Sequence, residues 1–289
     1  MSSDQASLAI GAIADALDVE IAAASRVSGG DVAEAFRLEL GDGQVWFAKT
    51  RAGAPSDFFD TEARGLRWLR EANALPVPAV VHVGSEPPLL VLEWIDEAHR
   101  RPQSDADFGR SLAALHAAGA PCFGREDRRT TGSRGLPNEP GATWPEFFAT
   151  QRLLPLARLA ADEQALPPAT VAMLEAIASR LDGFGAAGEP PARLHGDLWA
   201  GNRVVDASGQ SWLIDPAAHG GHREFDLAMM QLFGGWADDV FDAYAEATPL
   251  ADGWRDRVGL HQLAPLAVHA IKFGGGYVRA TAETAQRYC

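Results

Sequence analysis

Leu194-His195-Gly196-Asp197-Leu198-Trp199-Ala200-Gly201-Asn202, with Trp212-Leu213-Ile214-Asp215-Pro216 after it, sets an acid in a polar turn, an amide five positions on, and a second acid at the end of an apolar strand. The spacing suits phosphoryl transfer. An acid in such a turn can take the proton of an attacking hydroxyl, which assigns Asp197 as the catalytic base. Magnesium takes hard oxygen ligands and few of them from protein, which assigns Asn202 and Asp215 to the metal. The reaction asks mainly for positioning and charge neutralisation, so few further groups are needed.

Upstream, the sequence supplies them. Phe36, Leu38 and Leu40 alternate on one face of a strand, Gly41-Asp42-Gly43 turns the chain, and Val45, Phe47 and Lys49 share a face of the next strand. A lysine beside two apolar residues needs a partner or an anionic ligand. Glu62 lies one turn before Leu66 on a helix read over Asp60 to Ala72, and pairs with Lys49 as the arm that holds nucleotide phosphates. Before the hairpin, Gly29-Gly30 reads as a tight turn whose N–H groups can approach phosphate, or as an ordinary hairpin turn. Two further strands are read at Val80 to Val83 and Leu89 to Ile95. The second runs into a polar linker, and the backbone of Glu93, Trp94 and Ile95 is placed at an adenine edge. The chain therefore divides into a nucleotide-binding part over residues 1–93, a hinge at 94–97, and a catalytic and acceptor-binding part over 98–289.

Composition is consistent with a globular chain. It has 289 residues, 47% apolar and 22% charged. A formal charge of -14 argues against nucleic-acid and anionic-membrane partners. Two cysteines make no disulfide framework and fit a reducing cytoplasm, and no signal peptide or membrane-spanning run is read. A short amphipathic helix is read at Asp4 to Leu17. Downstream of the linker the pattern is mostly helical: Asp107 to Ala117 ending near His116, a restart at Trp144 to Leu153, Pro168 to Leu181, and Asp252 to Cys289 around Leu260, Leu263, Leu266 and Ile271. That last region either closes the acceptor side or forms an oligomer contact. Residues 121–145, rich in Gly, Pro and Arg, read as a long functional or mobile loop.

Taken with Gly221-His222-Arg223-Glu224-Phe225-Asp226-Leu227-Ala228, the stretch Leu194 to Asn202 resembles the fructosamine kinase family, small-molecule kinases of the protein-kinase-like superfamily. The likeness extends through Gly29-Gly30-Asp31, Ala48-Lys49-Thr50, Glu62 to Leu69 and Phe233-Gly234-Gly235. It implies an α+β, bilobal protein-kinase-like fold, with an antiparallel sheet plus helix followed by a mainly helical lobe. It implies ATP and Mg2+, and phosphorylation at carbon 3 of a free or protein-bound ketosamine, which destabilises the adduct and releases the amine. On the resemblance Lys49 and Glu62 hold phosphates. Trp199 is either a sugar platform or a packing residue beneath the loop. His222 and Glu224 face substrate or cap a helix, while His195 and Asp226 brace the catalytic loop. Kinases for other hydroxylated amines, aminoglycoside-like or choline-like, share the HGD-x-x-x-x-N pattern, and a nucleotide-binding pseudokinase would be expected to have lost part of it. Gly196 stands where protein kinases carry the arginine of H-R-D, Pro216 where they carry the phenylalanine of D-F-G, and there is no A-P-E segment, so turnover is not expected to be switched by phosphorylation. Oligomeric state, monomer or homodimer, is left open.

Overall fold

In the computed structural model, which describes residues 3–27, 33–99, 102–127, 130–131 and 135–289, the period-two segments pair as one antiparallel sheet. The strands are β1 (Ile21–Val27), β2 (Glu34–Leu40), β3 (Val45–Thr50), β4 (Val80–Ser85) and β5 (Pro88–Glu93), in spatial order β1-β2-β3-β5-β4. Alternation sends one set of side chains to each face. Phe36, Leu38, Ala48, Leu89 and Val91 pack with Ile13 of helix α1 (Ser3–Leu17). Leu90 and Leu92 face the other way, into a core shared with Ala63, Leu66 and Leu69 of α2 (Asp60–Glu71). The register sets Lys49 opposite Ala35 on one side and Leu90 on the other, so its side chain projects on the α2 face. Gly29 and Gly30, expected at a phosphate-facing turn, lie outside the described residues.

After β5 the linker is fastened to the helical part: the Ala98 amide donates to Val205 O at 2.7 Å, and Glu97 bridges to Asp206. Helix α3 spans Pro102–Ala117, five residues earlier than the periodicity indicated. Its first turn is polar, so the apolar period is silent there. Arg203 explains why that turn is ordered: its guanidinium reaches Asp105 at 2.6 Å and Ser104 O at 2.8 Å. The described residues of 121–145 are tied down at several points. A short pair, β6 (Thr130–Thr131) with β7 (Leu136–Pro137), and bridges from Phe123 to Gly141 and Gly124 to Gly220 hold them.

Helix α4 (Trp144–Phe148) runs through a π turn at Ala149–Leu153 into α5 (Leu154–Asp162), followed by α6 (Pro168–Ala178). Two small antiparallel pairs then frame the opening stretch: β8 (Ala192–Leu194) with β11 (His219–Gly221), and β9 (Arg203–Val205) with β10 (Ser211–Leu213). The chain ends in α7 (Glu224–Phe233), α8 (Asp238–Ala247), α9 (Trp254–Phe273) and α10 (Gly276–Gln286). The C-terminal helical region breaks at Gly274 and Gly275, both at positive φ, which turns α10 back along α9. One core, running from Leu90 and Leu66 through Phe108 and Leu112 to Leu198, Leu213 and Leu227, joins the sheet side to the helical side. Among the described residues no helix is long and apolar enough to cross a membrane.

Candidate active site

The β3 register and the α2 packing bring three charged groups together. Lys49 Nζ donates to Glu62 Oε1 at 2.8 Å and to Asp215 Oδ1. Gly65, one turn after Glu62, faces Ala218 and Pro216, so α2 rests directly on the segment that follows Asp215. Asp215 itself has φ 54°, a left-handed conformation that a non-glycine residue holds only when its surroundings fix it. Burial alone would lower the Lys49 pKa, but Glu62 and Asp215 outweigh it and the ammonium is held charged. Burial would raise Asp215; the Lys49 charge and hydrogen bond win, and it stays low. Burial prevails at Glu62, pushed up to about 7 against the pull of Lys49.

The turn that carries Asp197 is built from backbone outward. Between β8 and a short 3-10 turn at Ala200–Asn202, Gly196 sits at φ 82° and a Cβ there would lie 2.2 Å from Ala217 O, so only glycine fits. Asp226, fully buried on α7, accepts from the His195 amide at 2.8 Å and the Gly196 amide at 2.9 Å. His116 Nε2 lies 3.2 Å from the same carboxylate and its Nδ1 lies 2.8 Å from the Tyr244 hydroxyl. His195 Nδ1 accepts from the Asp197 amide at 3.3 Å, which leaves Nε2–H to donate to Ile214 O at 2.9 Å. That bond ties the turn to the strand carrying Asp215.

Asn202 Nδ2 donates to Asp197 O at 2.8 Å and reaches Asp197 Oδ2 at 3.4 Å. What the Asn202 side chain has left to offer is a carbonyl oxygen. With the Asp215 carboxylate it makes a hard, all-oxygen donor pair of the kind magnesium takes. Burial, and then the charge of Asp215, push the Asp197 carboxyl up to about 6, a value suited to receiving a proton near neutral pH. Trp199 is not beneath the loop. It is 44% exposed, and its indole lies flat on Gly201, where a Cβ would meet the ring at 2.1 Å.

At the end of β5, the Glu93 amide donates to Ala79 O at 2.9 Å and its carboxylate accepts from the Ala79 amide at 3.0 Å. Trp94 Nε1 donates to Asp96 at 2.9 Å with the Arg37 guanidinium 5.3 Å over its ring, and Ile95 is half-buried.

His222 and Glu224 are placed differently from the substrate-facing alternative. Each is 1% exposed. Glu224 accepts from Arg257 at 2.6 and 2.9 Å and lies 3.4 Å from His261 Nε2, while His222 Nε2 is 3.2 Å from Ala186 O. Ligand atoms of His222, Glu224 and His261 gather within 4.8 Å, but Arg257 already neutralises the carboxylate, so the cluster needs no cation to balance it. Burial and the neighbouring His261 push His222 down to about 4. Burial and Arg152 push His219 down to about 3, and burial lowers His261. Glu224 is held at about 2, because the adjacent His261 and the hydrogen bonds from Arg257 outweigh burial. All four shifts act in one direction. As pH falls below the ordinary imidazole value near 6.5, the unfolded chain takes up protons that the folded chain refuses. Each such histidine costs on the order of 1.4 kcal/mol per pH unit, and Glu224 adds to the loss between its ordinary value and about 2. Glu62 and Asp197, raised to about 7 and about 6, oppose part of this loss over the same range, so the rings are read by difference: between pH 6.5 and 5 the melting temperature should fall less steeply for His222→Gln than for the parent, and equal slopes would contradict neutral burial of that ring.

Sequence reasoning did not find Lys272, whose charge acts on Asp197 from the end of α9. Its periodicity marks only an exposed helix position. His116 and Tyr244 also escaped it as loop supports, since neither lies near Asp226 in sequence.

A family model described as fructosamine kinase matches residues 7–289. A curated Synechocystis sp. protein named "Probable ketoamine kinase" is 34% identical over 257 residues, covering 87% of this chain and 85% of its own length. A Thermus thermophilus protein of the same name is 34% identical over 253 residues, covering 87% and 88%. Among solved structures, a candidate fructosamine-3-kinase from Thermobifida fusca superposes with a TM-score of 0.87 at 43% identity, covering 96% of this chain and 97% of that one. A macrolide 2'-phosphotransferase type I matches in fold, with a TM-score of 0.63 at 17% identity and coverage of 98% and 97%. The bilobal, protein-kinase-like architecture expected from the sequence is the one these structures share.

Proposed function

Because the chain belongs to the fructosamine kinase family, and is thus a phosphotransferase acting on hydroxyl groups with ATP as donor, we propose that it phosphorylates ketosamines, fructosamines or ribulosamines, at the carbon-3 hydroxyl. The observation that carries this reading is the single polar track from Glu62 through Lys49 and Asp215 to the Asp197–Asn202 pair.

In this reading residues 1–93 and 98–289 are the two lobes and 94–97 the hinge, where the Glu93–Ile95 backbone meets adenine. Gly29 and Gly30 approach the phosphates. Lys49, kept charged by its two carboxylates, holds phosphate oxygens, and Glu62 fixes its position. Asp197 takes the proton from the acceptor hydroxyl as its oxygen attacks the γ-phosphorus, and ADP leaves. Asn202 and Asp215 would hold magnesium, which supplies neutralisation of phosphate charge when bound. Trp199 presents its open indole face to the apolar side of the sugar. His195 and Asp226 keep the turn in place and do not touch the reactants. Loss of a proton from carbon 1 of the product gives the 1,2-enaminol, in which the carbon-3 phosphate is allylic and leaves as inorganic phosphate, and water then hydrolyses the resulting imine at carbon 1 to release the amine. This amounts to a deglycation activity, and the two unpaired cysteines, Cys122 and Cys289, support a reducing cytoplasm as its setting.

An acceptor panel tests the proposal: ADP release is measured with a fructosyl-amine, a ribulosyl-amine, an aminoglycoside and choline. Acceptor-dependent turnover is expected with the ketosamines, at least about a hundredfold above the others in kcat/KM, a gap of roughly 2.7 kcal/mol in transition-state binding. Turnover confined to the aminoglycoside or choline would replace the reading with the other hydroxylated-amine kinases, and tight binding of Mg·ATP with no turnover would favour a pseudokinase.

A further inference from the structure

The catalytic turn has a second neighbour besides α7. A Cβ on Gly235 would lie 2.8 Å from Ala200, so the turn that follows α7 rests against the Ala200–Asn202 turn. From there an aromatic ladder runs outward. Phe233 lies 5.0 Å from His269 between ring centroids, His269 lies 5.5 Å from Phe273 and 5.0 Å from Tyr277, and Phe273 lies 6.2 Å from Tyr277. His269 is fixed within it by a hydrogen bond from Nδ1 to Pro265 O at 2.8 Å. Lys272 Nζ sits 4.7 Å over the Phe273 ring, and the Lys272 charge is felt at Asp197.

The exposure pattern singles out the outer end of the ladder. Tyr277 packs against the helical core, yet Phe273 is 52% exposed at the α9–α10 break. Trp199, the other large aromatic left open, stands two residues beyond Asp197. Burying a phenyl ring is favourable by roughly 1.5–3 kcal/mol, and Phe273 is left open at the outer end of a ladder that starts against the Ala200–Asn202 turn, so a ligand extending outward from that turn gains by covering it.

We propose that Phe273 and Tyr277, held by His269 and Phe233, form the subsite for the amine substituent of the acceptor. The inference rests on the ketosamine reading above. In a ketosamine the nitrogen is attached at carbon 1, two carbons from the hydroxyl that Asp197 would deprotonate, so the sugar and the substituent leave the base in different directions. Trp199 takes the sugar and the ladder takes the substituent. Lys272 already lies over the Phe273 ring, so the ladder offers the substituent covered area rather than a site for its ammonium, and an apolar or aromatic substituent gains from that area.

Two ketosamines of the same sugar, one made from methylamine and one from benzylamine, supply the test. The unsubstituted enzyme should prefer the benzylamine adduct, and Phe273→Ala should lower the ratio of the two kcat/KM values about tenfold, mainly through KM. Phe273→Tyr should restore the ratio. Tyr277→Ala should act in the same sense, and because Tyr277 touches the core its melting temperature is measured alongside. Equal losses on both adducts, or an unchanged ratio in Phe273→Ala, would overturn the subsite while leaving the kinase reading in place. Phosphorylation of neither ketosamine by the unsubstituted enzyme would overturn both. A dimer in size-exclusion chromatography that Phe273→Ala dissociates with the ratio unchanged would assign this face to a second copy of the chain and overturn the subsite.

Discussion

Asp197→Asn should lower kcat by on the order of a thousandfold while the Kd for ATP stays within about twofold of the parent. The asymmetry follows from where Asp197 stands. It is joined to Asn202 by the 2.8 and 3.4 Å bonds and has no bond to the Lys49–Glu62 pair proposed to face phosphates. An amide of the same shape preserves the turn but cannot receive a proton. Burial and Asp215 raise the carboxyl to about 6, so the group is ionised at neutral pH yet basic enough to accept the hydroxyl proton. Single-turnover phosphorylation with a fructosyl-amine, next to ATP titration, reads the two quantities separately. A variant with near-parental kcat would remove Asp197 as base, and one that lost ATP affinity in proportion would make it a binding residue instead.

Asp226→Asn is expected to be as damaging through a different physical route. The parent carboxylate accepts from two backbone amides and from His116 while fully buried. An amide keeps one acceptor oxygen and turns an NH2 toward a donor. Stability should fall by about 2–4 kcal/mol, since a buried donor left without an acceptor costs its full desolvation. Activity should fall with it, because the His195 and Gly196 amides hold the turn that presents Asp197. Denaturant unfolding and kcat measured below the melting temperature separate the two effects. A variant as stable as the parent would show that the turn is held by His195 and Ile214 alone.

The layout of the candidate site was legible in the sequence because phosphoryl transfer asks for a defined spacing within one loop and one strand. Asp197, Asn202 and Asp215 can be found by counting. Lys49 and Glu62 required only period-two and period-3.6 reasoning, and the structure sets them 2.8 Å apart. What periodicity could not show is how residues distant in the chain meet. The first turn of α3 was missed because its order comes from Arg203, on a strand after the catalytic turn. His222 and Glu224 carry the residue types of a substrate site, but Arg257 and His261 of α9 bury and pair them. Trp199 lies outside the loop because Gly201 leaves space for a ring, a fact carried by the absence of a side chain. Lys272 is invisible for the same reason as Arg203, since tertiary packing alone brings the end of α9 to Asp197.

The most direct measurement is phosphorus and proton NMR of the product formed from Mg·ATP and a fructosyl-amine. The account predicts one new phosphate monoester coupled to the proton on carbon 3, followed by release of inorganic phosphate and free amine. A phosphate on another hydroxyl, or a carbon-3 ester that persists without releasing the amine, would contradict it.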